Sequence, residues 1–310
     1  MPRILFVKTS SLGDVVHQCP AVSDAARGIP GARIDWVVEE GFGGIARMHP
    51  QVARVIPVAV RRWRGALWRP AVWGEVARFR KDLESERYDV VIDAQGLLKS
   101  ALITRFAQGT RHGMDRASAR EPLAARFYDR THAVPRGLHA VERNRRLSAA
   151  ALGISPESSI EYGLRAGTGT GEEMPSGYSV LLTMTSRADK LWPEARWIEL
   201  GRALALPVVL PWGSPQERSR AERIAGGIGE AVVPKKMTLE ELAEVLANAR
   251  NVVGLDSGLT HLAAALGART VAIFCGSDPA LTGLYGAPRA ANVGAPGRPP
   301  QAFEVLQALQ

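Results

Sequence analysis

Short apolar runs alternate with helical patterns along this chain, and the alternation occurs in two separate series. A strand–helix–strand repeat of this kind folds as a mostly parallel sheet with helices on both faces. Between the two series, residues 155–177 have no apolar period and are rich in Gly, Thr and Ser, which indicates a linker. The sequence therefore predicts two Rossmann-like, doubly wound α/β domains, residues 1–165 and 166–310, that face each other across a ligand-binding cleft.

The spacing of apolar residues divides each series into elements. A helix follows the first strand from Val15 to Gly28, and a helical pattern continues beyond Ala107. The last helix, Gln301–Leu309, is a candidate to pack back on the first domain. The predicted strands are Ile4–Val7, Arg33–Val38, Val55–Val60, Tyr88–Ala94, Tyr178–Met184, Pro207–Leu210, Ala231–Val233, Asn251–Leu255 and Thr270–Phe274, and the other predicted helices are Phe42–Met48, Trp73–Glu86, Leu97–Ala107, Ala140–Ala151, Pro193–Leu204, Pro215–Ile224, Leu239–Ala249 and Ser257–Leu266.

The composition argues against several classes of protein. The 310 residues are 46% hydrophobic, which is ample for two cores, but no run of about 18 apolar residues is present to span a membrane. The first residues lack the small-residue cleavage site of a signal peptide, so we expect a cytoplasmic protein. Cys19 and Cys275 have apolar neighbours, as reduced core cysteines do. Neither HExxH nor paired Cys/His spacing occurs, so we expect no protein-bound metal.

The excess positive charge is confined to the first half of the chain. Residues 1–165 contain 26 Lys and Arg against 17 Asp and Glu, whereas residues 166–310 contain 13 against 14. Such asymmetry indicates that the first domain meets an anionic partner. The alternative is that the arginine-rich composition of a GC-rich genome produces a solvated, charged face.

The stretch from Lys8 to His17 connects the first predicted strand to the first helix. Gly13 and several small residues form the bend, and ligands of open α/β sheets bind at turns of this kind. Asp14 lies there, near the start of the helix. An Asp in this position most often caps the helix, so the local sequence allows two interpretations of Asp14, a cap or a catalytic carboxylate.

A similar turn, Asp256-Ser257-Gly258, follows an apolar strand in the second half. Its small residues would let a ligand approach the free N–H groups of the first helical turn, which suit a phosphate. His261 lies one helical turn further along the same face. The alternative is an ordinary helix cap followed by a buried histidine.

Polar residues follow other strands of the second series and are expected at the same sheet edge. Thr185 and Ser186 offer hydroxyl groups, and Lys190 offers a positive charge. The Glu217 carboxylate can accept two hydrogen bonds from a ribose diol, and Met237 can pack on a base. Together with the helix N-terminus at Ser257, these groups suit a nucleotide diphosphate.

Nine segments spread over nearly the whole chain carry a resemblance to a known family: Val7–Asp14, Asp35–Gly41, Val55–Arg64, Val91–Leu97, His112–Asp115, Ala119–Leu123, His139–Arg143, Asp189–Pro193 and Asp256–His261. They resemble those of the lipopolysaccharide heptosyltransferase I family, inverting glycosyltransferases of family 9 with the GT-B fold. The Arg-Arg-Trp-Arg and Asp-Ala-Gln-Gly runs favour type I over type II, which adds a second heptose. The resemblance implies transfer of L-glycero-D-manno-heptose from ADP-L-glycero-β-D-manno-heptose to the inner Kdo of Kdo2-lipid A.

The resemblance also implies roles for single residues. Asp14 matches the general base, and neither a cofactor nor a metal is expected besides the nucleotide-sugar donor. The residues that match the donor-binding positions are Thr185, Ser186, Lys190, Glu217, Met237, Asp256, Ser257, Gly258 and His261. Because the acceptor carries carboxylates and phosphates, which basic side chains bind, the acceptor-binding candidates are Lys8, Ser11, Arg61, Arg62, Arg64, Lys99, Arg120 and Arg143.

Tryptophans are interleaved with the arginines of the first half. Trp63, Trp68 and Trp73 suit a membrane interface, and core packing is the alternative, which we favour for Trp73 and not for Trp63. We expect a monomer that lies peripherally on the cytoplasmic face of the inner membrane.

Three other functions stay as alternatives to heptosyltransferase I. The first is transfer of the second heptose, as in type II. The second is a nucleotide-sugar epimerase of the same two-domain architecture, which would need no separate basic acceptor face. The third is nucleic-acid binding, suggested by the high isoelectric point. We expect no nucleic acid as a partner, because no helix-turn-helix, RRM or OB pattern accompanies the basic residues.

Overall fold

A computed structural model describes residues 1–167, 174–185 and 187–310 of the chain. These residues divide into two compact units, Met1–Leu164 and Arg165–Gln310, and the division falls one residue before the boundary expected from the sequence. Within the described residues, no helix is long and apolar enough to cross a membrane.

The first unit is built on a parallel sheet whose strand order is β3-β2-β1-β4-β5-β6. The central strand is the apolar run near the N-terminus, in which Val7 pairs with Val37 on one side and with Asp93 on the other. In this order the chain reverses its direction of winding beside β1, which is where doubly wound sheets bind ligands. The strands are β1 (Arg3–Val7), β2 (Arg33–Glu39), β3 (Val52–Val58), β4 (Arg87–Asp93), β5 (Gln108–Met114) and β6 (Arg130–His132).

Helices connect these strands and bury their apolar sides against the sheet. Leu5 and Val7 of the central strand share a core cluster with Phe79 and Leu83 of a long helix. The helices are α1 (Leu12–Val16), α2 (Cys19–Gly28), α3 (Gly43–Arg47), α4 (Val60–Arg64), α5 (Pro70–Glu84), α6 (Leu98–Thr104) and α7 (Ala140–Leu152).

Two predictions for this unit are wrong. The single helix expected from Val15 to Gly28 is broken into α1 and α2, because Pro20 starts a new helix in its first turn. The segment between Ala107 and Ala140 contains strands β5 and β6 instead of a helical pattern.

Close packing explains why β5 escapes a search for apolar periodicity. The strand is rich in polar residues, and two of its positions are glycines. A Cβ atom at Gly113 would lie 2.2 Å from the Tyr128 ring, and one at Gly109 would lie 2.4 Å from the backbone oxygen of Tyr88. The strand is therefore specified by the lack of side chains at two crowded positions.

The second unit repeats the architecture with the strand order β12-β11-β10-β7-β8-β9, again parallel. The edge strand β12 was not predicted, because its residues are only partly buried. The strands are β7 (Ser179–Leu182), β8 (Val208–Val209), β9 (Ala231–Val232), β10 (Asn251–Leu255), β11 (Thr270–Phe274) and β12 (Ala290–Gly294), and the helices are α8 (Glu194–Ala203), α9 (Pro215–Ile228), α10 (Leu239–Asn248), α11 (Gly258–Ala265), α12 (Pro279–Thr282) and α13 (Ala302–Ala308).

The last helix belongs to the core of the second unit. Ala302 and Val305 of α13 are buried in the same cluster as Trp192 and Trp197, whose rings meet edge to face with their centroids 4.9 Å apart. The Trp192 indole N–H donates to the carbonyl of Pro300, directly before α13. The helix that was a candidate to pack on the first domain therefore has its buried face within the second.

Candidate active site

The turn that carries Asp14 is held by the strand next to β1. The Asp93 carboxylate at the end of β4 accepts from the backbone N–H groups of Gln95 and Gly96 and shapes that turn. The Gln95 side chain then accepts from the backbone N–H groups of Thr9 and Ser10, at 3.1 and 3.3 Å. The loop between β1 and α1 is thus positioned by the Asp-Ala-Gln-Gly segment.

Both interpretations of Asp14 agree with its contacts, because its two oxygens have different partners. Oδ2 accepts from the backbone N–H of Ser11 at 2.9 Å and from the Ser11 hydroxyl at 3.2 Å, so it caps α1. Oδ1 accepts from Arg120 Nη2 at 2.7 Å and lies 3.9 Å from Lys8 Nζ. Burial raises the pKa of Asp14, but Lys8, Arg120 and the Ser11 N–H outweigh it and lower the pKa to about 2. The carboxylate is ionised at neutral pH.

Lys8 is buried beneath Asp14 instead of lying at the protein surface. Its ammonium donates to the backbone oxygen of Ala94 at 2.8 Å and to the Asn144 side chain at 3.5 Å. Burial lowers the pKa of Lys8 to about 8, although the Asp14 charge opposes this shift. This geometry suits a counter-charge for Asp14 better than a contact for an incoming acceptor.

Three other predicted acceptor-binding residues lie around the same turn. Lys99 donates to the Ser10 hydroxyl at 3.3 Å, and Arg143 donates to the backbone oxygen of Ser118 at 2.7 Å. Arg120, half exposed, reaches Asp14 directly. Sequence analysis grouped these residues by charge alone, and the fold brings them to the carboxyl end of β1.

The three arginines of α4 are placed differently from one another. Arg62 is held by two carboxylates, with a paired contact to Glu40 at 3.0 and 3.1 Å and a third to Glu75. The Arg61 guanidinium lies over the Phe42 ring, 5.2 Å from its centroid. Arg64 is exposed.

The expected difference between the tryptophans is wrong. Trp63 is partly buried against the core, where its ring meets Phe79 edge to face and its N–H donates to Glu75 at 2.8 Å. Trp73, which we expected in the core, is 58% exposed. Trp63 lies in α4 and Trp73 in α5, so the spacing between them along the sequence did not distinguish them.

The second unit gathers polar groups around Asp256, at the end of β10. Asp256 Oδ2 accepts from Lys190 Nζ and from the Ser277 hydroxyl, each at 2.5 Å. His261 Nε2 lies 3.7 Å from Oδ1, and the Thr185 hydroxyl donates to the backbone oxygen of Asp256 at 3.1 Å. Burial acts to raise the pKa of Asp256, but hydrogen bonds from His261, Lys190 and Ser277 hold it well below its usual range.

The start of α11 is open to a ligand. Ser257 occupies the N-cap position, but its hydroxyl hydrogen-bonds the Thr260 hydroxyl at 3.1 Å and does not cap the helix. The Asp256 carboxylate is engaged with Lys190 and Ser277. Gly258 adds no side chain over the first turn, so this helix N-terminus has the features of a phosphate site.

The remaining predicted donor residues occupy the loops after neighbouring strands. Glu217 closes a capping box at the start of α9, where its Oε2 accepts from the backbone N–H groups of Gly213 and Ser214. Met237 is half-buried directly before α10. Ser186 lies outside the described residues.

Sequence analysis missed Ser277, which follows β11 and contacts Asp256. The glycine before it was the available signal. A Cβ at Gly276 would lie 2.8 Å from the backbone oxygen of Asp189, so this loop packs against the segment that carries Lys190. Within the described residues, no group of three or more His, Cys, Asp and Glu side chains is arranged to hold a metal ion.

Comparisons with known proteins identify the family to which the chain belongs. The profile of the family described as "Glycosyltransferase family 9 (heptosyltransferase)" matches residues 76–305. The chain belongs to glycosyltransferase family 9. Lipopolysaccharide heptosyltransferase 1 of Pseudomonas aeruginosa is 52% identical to this family 9 glycosyltransferase over 289 residues, which are 92% of this chain and 81% of the relative.

Solved structures of a heptosyltransferase have the same fold. The E. coli heptosyltransferase WaaC with ADP superposes with a TM-score of 0.90 and 45% identity over 98% of both chains, and the same enzyme with ADP-2-deoxy-2-fluoro heptose gives a TM-score of 0.88. The predicted fold class, α/β of the GT-B type, is confirmed, as is the resemblance on which it partly rested. This family 9 glycosyltransferase catalyses heptose transfer in lipopolysaccharide core biosynthesis.

Proposed function

We propose that this glycosyltransferase moves heptose from ADP-L-glycero-β-D-manno-heptose to the inner Kdo of Kdo2-lipid A. The observation that carries the proposal is the ionised, partly accessible carboxylate of Asp14 at the carboxyl end of β1, which accepts a hydrogen bond from Arg120 and lies close to Lys8. An anionic sugar acceptor suits basic groups in this arrangement. Relatives named lipopolysaccharide heptosyltransferase 1 support the same acceptor.

Asp14 is the proposed general base. A sugar hydroxyl loses its proton far above neutral pH, so a carboxylate within hydrogen-bond reach must take the proton as the oxygen attacks the anomeric carbon. Lys8 keeps that carboxylate ionised between turnovers. A single displacement of this kind inverts the anomeric centre, and its transition state resembles an oxocarbenium ion.

The second unit is proposed to bind the ADP moiety and to stabilise it as it leaves. Lys190 and Thr185 contact Asp256, and the open N-terminus of α11 lies directly after it. Donors fixed in place before the reaction stabilise the negative charge that develops on the diphosphate. Asp256, whose carboxylate stays ionised, is suited to accept hydrogen bonds from heptose hydroxyls.

The decisive experiment incubates the enzyme with ADP-heptose and Kdo2-lipid A and reads the product mass. One added heptose supports the proposal. A product that forms only from an acceptor that already carries one heptose would indicate type II transfer instead, and isomerised donor without acceptor would indicate an epimerase.

The role of Asp14 as the base can be tested by replacing it with asparagine, which has the same shape. Asp14→Asn is expected to lower kcat by about 10²–10⁴-fold because the amide cannot accept the proton. Donor affinity and the folded fraction measured by circular dichroism should stay unchanged. Near-normal turnover by a folded variant would exclude Asp14 as the base.

We also propose that the first unit contacts the membrane through a surface that we call the Trp68 patch, made of Arg64, Leu67, Trp68, Arg69 and Trp73. Trp68 is 74% exposed and Leu67 49%, and the Trp73 N–H donates to the backbone oxygen of Leu67 at 2.9 Å. The Arg69 guanidinium lies 5.9 Å from the Trp68 ring centroid. Aromatic rings flanked by arginines bind the headgroup region of anionic bilayers, where a lipid-anchored acceptor resides.

A further inference from the structure

The oxygen that Asp14 must offer to an acceptor hydroxyl already has partners. Oδ2 caps α1 through two contacts with Ser11. Oδ1 accepts from Arg120 at 2.7 Å. A base takes a proton at an oxygen that the substrate hydroxyl reaches, and the Arg120 guanidinium on Oδ1 competes with the hydroxyl for that oxygen.

The two cations beside Oδ1 differ in their freedom to move. The side chain of Lys8 is 4% exposed, and its ammonium is anchored on Ala94 and Asn144. The side chain of Arg120 is 46% exposed and comes from the loop after β5. Its guanidinium has five N–H donors in a planar fork that matches a carboxylate or a phosphate. Arg120 is therefore the cation that a bound anion can draw away.

We propose that Arg120 is a latch on Asp14: in the free protein it occupies Oδ1, and a carboxylate of the acceptor draws the guanidinium away and frees that oxygen for the acceptor hydroxyl. The proposal rests on the role of Asp14 as the base. It makes Arg120 a positioning residue that couples acceptor binding to base activation, so that an acceptor of the wrong charge leaves the base covered.

Electrostatic interactions also make Asp14 a stronger base once Arg120 has left it. The ionisable groups that act on Asp14 are Lys8 directly after β1, His17 after α1 and Arg120, and each lowers the pKa of Asp14. When the guanidinium moves to an acceptor carboxylate, one of these positive charges is neutralised and Asp14 becomes a stronger base. Lys8 stays in place and keeps the carboxylate ionised until the hydroxyl arrives.

The test compares two acceptors in two variants. The acceptors are Kdo2-lipid A with its fatty acids removed and the same compound with its Kdo carboxyl groups converted to primary amides. In the wild type, the amidated acceptor, which keeps its phosphates but has no Kdo carboxylate, should have a kcat at least about tenfold lower, because Arg120 stays on Asp14. In Arg120→Gln, the KM for the charged acceptor rises, and the two acceptors should have the same kcat within about twofold.

Arg116→Gln is the matched control. Arg116 is an exposed arginine four residues earlier in the same loop, so Arg116→Gln removes the same charge from the loop as Arg120→Gln does. It should keep the wild-type difference between acceptors. Arg120→Lys, which retains a single charge without the fork, is expected to lie between the wild type and Arg120→Gln.

The contact between Arg120 and Asp14 can also be tested without measuring turnover, by titrating the Asp14 carboxyl. The pKa of the Asp14 carboxyl, followed by carbon NMR, should be higher in Arg120→Gln than in Arg116→Gln, and it should rise in the wild type when the charged acceptor binds. An unchanged pKa, or equal kcat for the two acceptors in the wild type, overturns the latch.

Failure of the latch can be told apart from failure of the proposed base. If Asp14→Asn keeps its turnover, the base assignment is wrong and the latch with it. If Asp14→Asn loses turnover but Arg120→Gln still discriminates between the two acceptors, the base stands and the latch alone is wrong.

Discussion

The Lys190 ammonium donates to Asp256 over 2.5 Å, so the cation proposed to stabilise the leaving ADP is neutralised while the protein is free. Both side chains are mostly buried. Asp256 also accepts from the Ser277 hydroxyl, so it would keep a full hydrogen bond while a bound phosphate shares the Lys190 ammonium. The Lys190 ammonium is therefore held in the donor site by Asp256, and neither side chain is without a hydrogen-bond partner in the free protein.

Replacement of Lys190 should weaken both stability and donor binding. Lys190→Met leaves a buried carboxylate with one partner fewer, which costs roughly 1–3 kcal/mol in the free energy of unfolding, and it should raise the Kd for ADP at least about tenfold. Calorimetry and urea unfolding measure the two effects. Lys236→Met, at an exposed position, is the control and should change neither. Unchanged ADP affinity in Lys190→Met would remove it from the donor site.

Asp14 should contribute to the acid sensitivity of the protein. Its pKa in the folded state is about 2, below the ordinary value of 3.8, so the unfolded chain binds more protons between these values. The stability it contributes is complete above about pH 4 and is lost as the pH falls toward 2. The difference in unfolding free energy between wild type and Asp14→Asn should therefore shrink by about 2 kcal/mol from pH 6 to pH 2. A constant difference over this range would contradict the shift.

Gly113 should tolerate no side chain. Gly113→Ala places a methyl group against the Tyr128 ring, whose hydroxyl donates to Asp93 at 2.8 Å. Overpacking of this kind costs roughly 1–3 kcal/mol, and the displaced ring should also disturb the turn that Asp93 shapes. Thermal unfolding measures the loss. Gly137→Ala, which meets no atom within 4 Å, should leave the melting temperature nearly unchanged, and an equal effect of both variants would rule out packing as the cause.

The Trp68 patch should determine binding to anionic vesicles. The double variant Trp68→Ala/Trp73→Ala is expected to lose most of its sedimentation with phosphatidylglycerol vesicles, because both exposed rings are removed from the interface. Turnover of a water-soluble acceptor should persist. Leu281→Ala, an exposed apolar position of the second unit, is the control. Equal vesicle binding by the double variant and the wild type would exclude the patch.

Apolar periodicity predicted the central strands of both sheets, because those strands are buried on both faces and read as continuous apolar runs. It failed at β5 and β12, where glycines or half-exposed residues form the strand. It also failed at Trp63 and Trp73, since these residues belong to two separate helices, α4 and α5, and the direction of each ring is undefined until the helices pack. Thr185, Lys190 and Asp256 were expected to lie at one sheet edge because they follow neighbouring strands, and the structure brings them into contact.

What the sequence did not provide is the pairing among those residues. Lys8 and Arg120 are equally basic in the sequence, yet one is anchored beneath Asp14 and the other reaches it from solvent. Ser277 carried no motif at all. Contacts of this kind join elements that are far apart along the chain, so local sequence patterns do not predict them.

The Gln95 side chain that holds Thr9 and Ser10 has a consequence for biosynthesis. These hydrogen bonds join residues 85 and 86 positions apart, and Asn144, which holds both Lys8 and the backbone oxygen of His17, comes later still. Contacts of such long range form late because loop closure precedes them. Asp14 therefore leaves the ribosome among the first residues, but the loop around it becomes ordered only after α7 has emerged. Truncated translation products contain the Asp14 motif without the folded site.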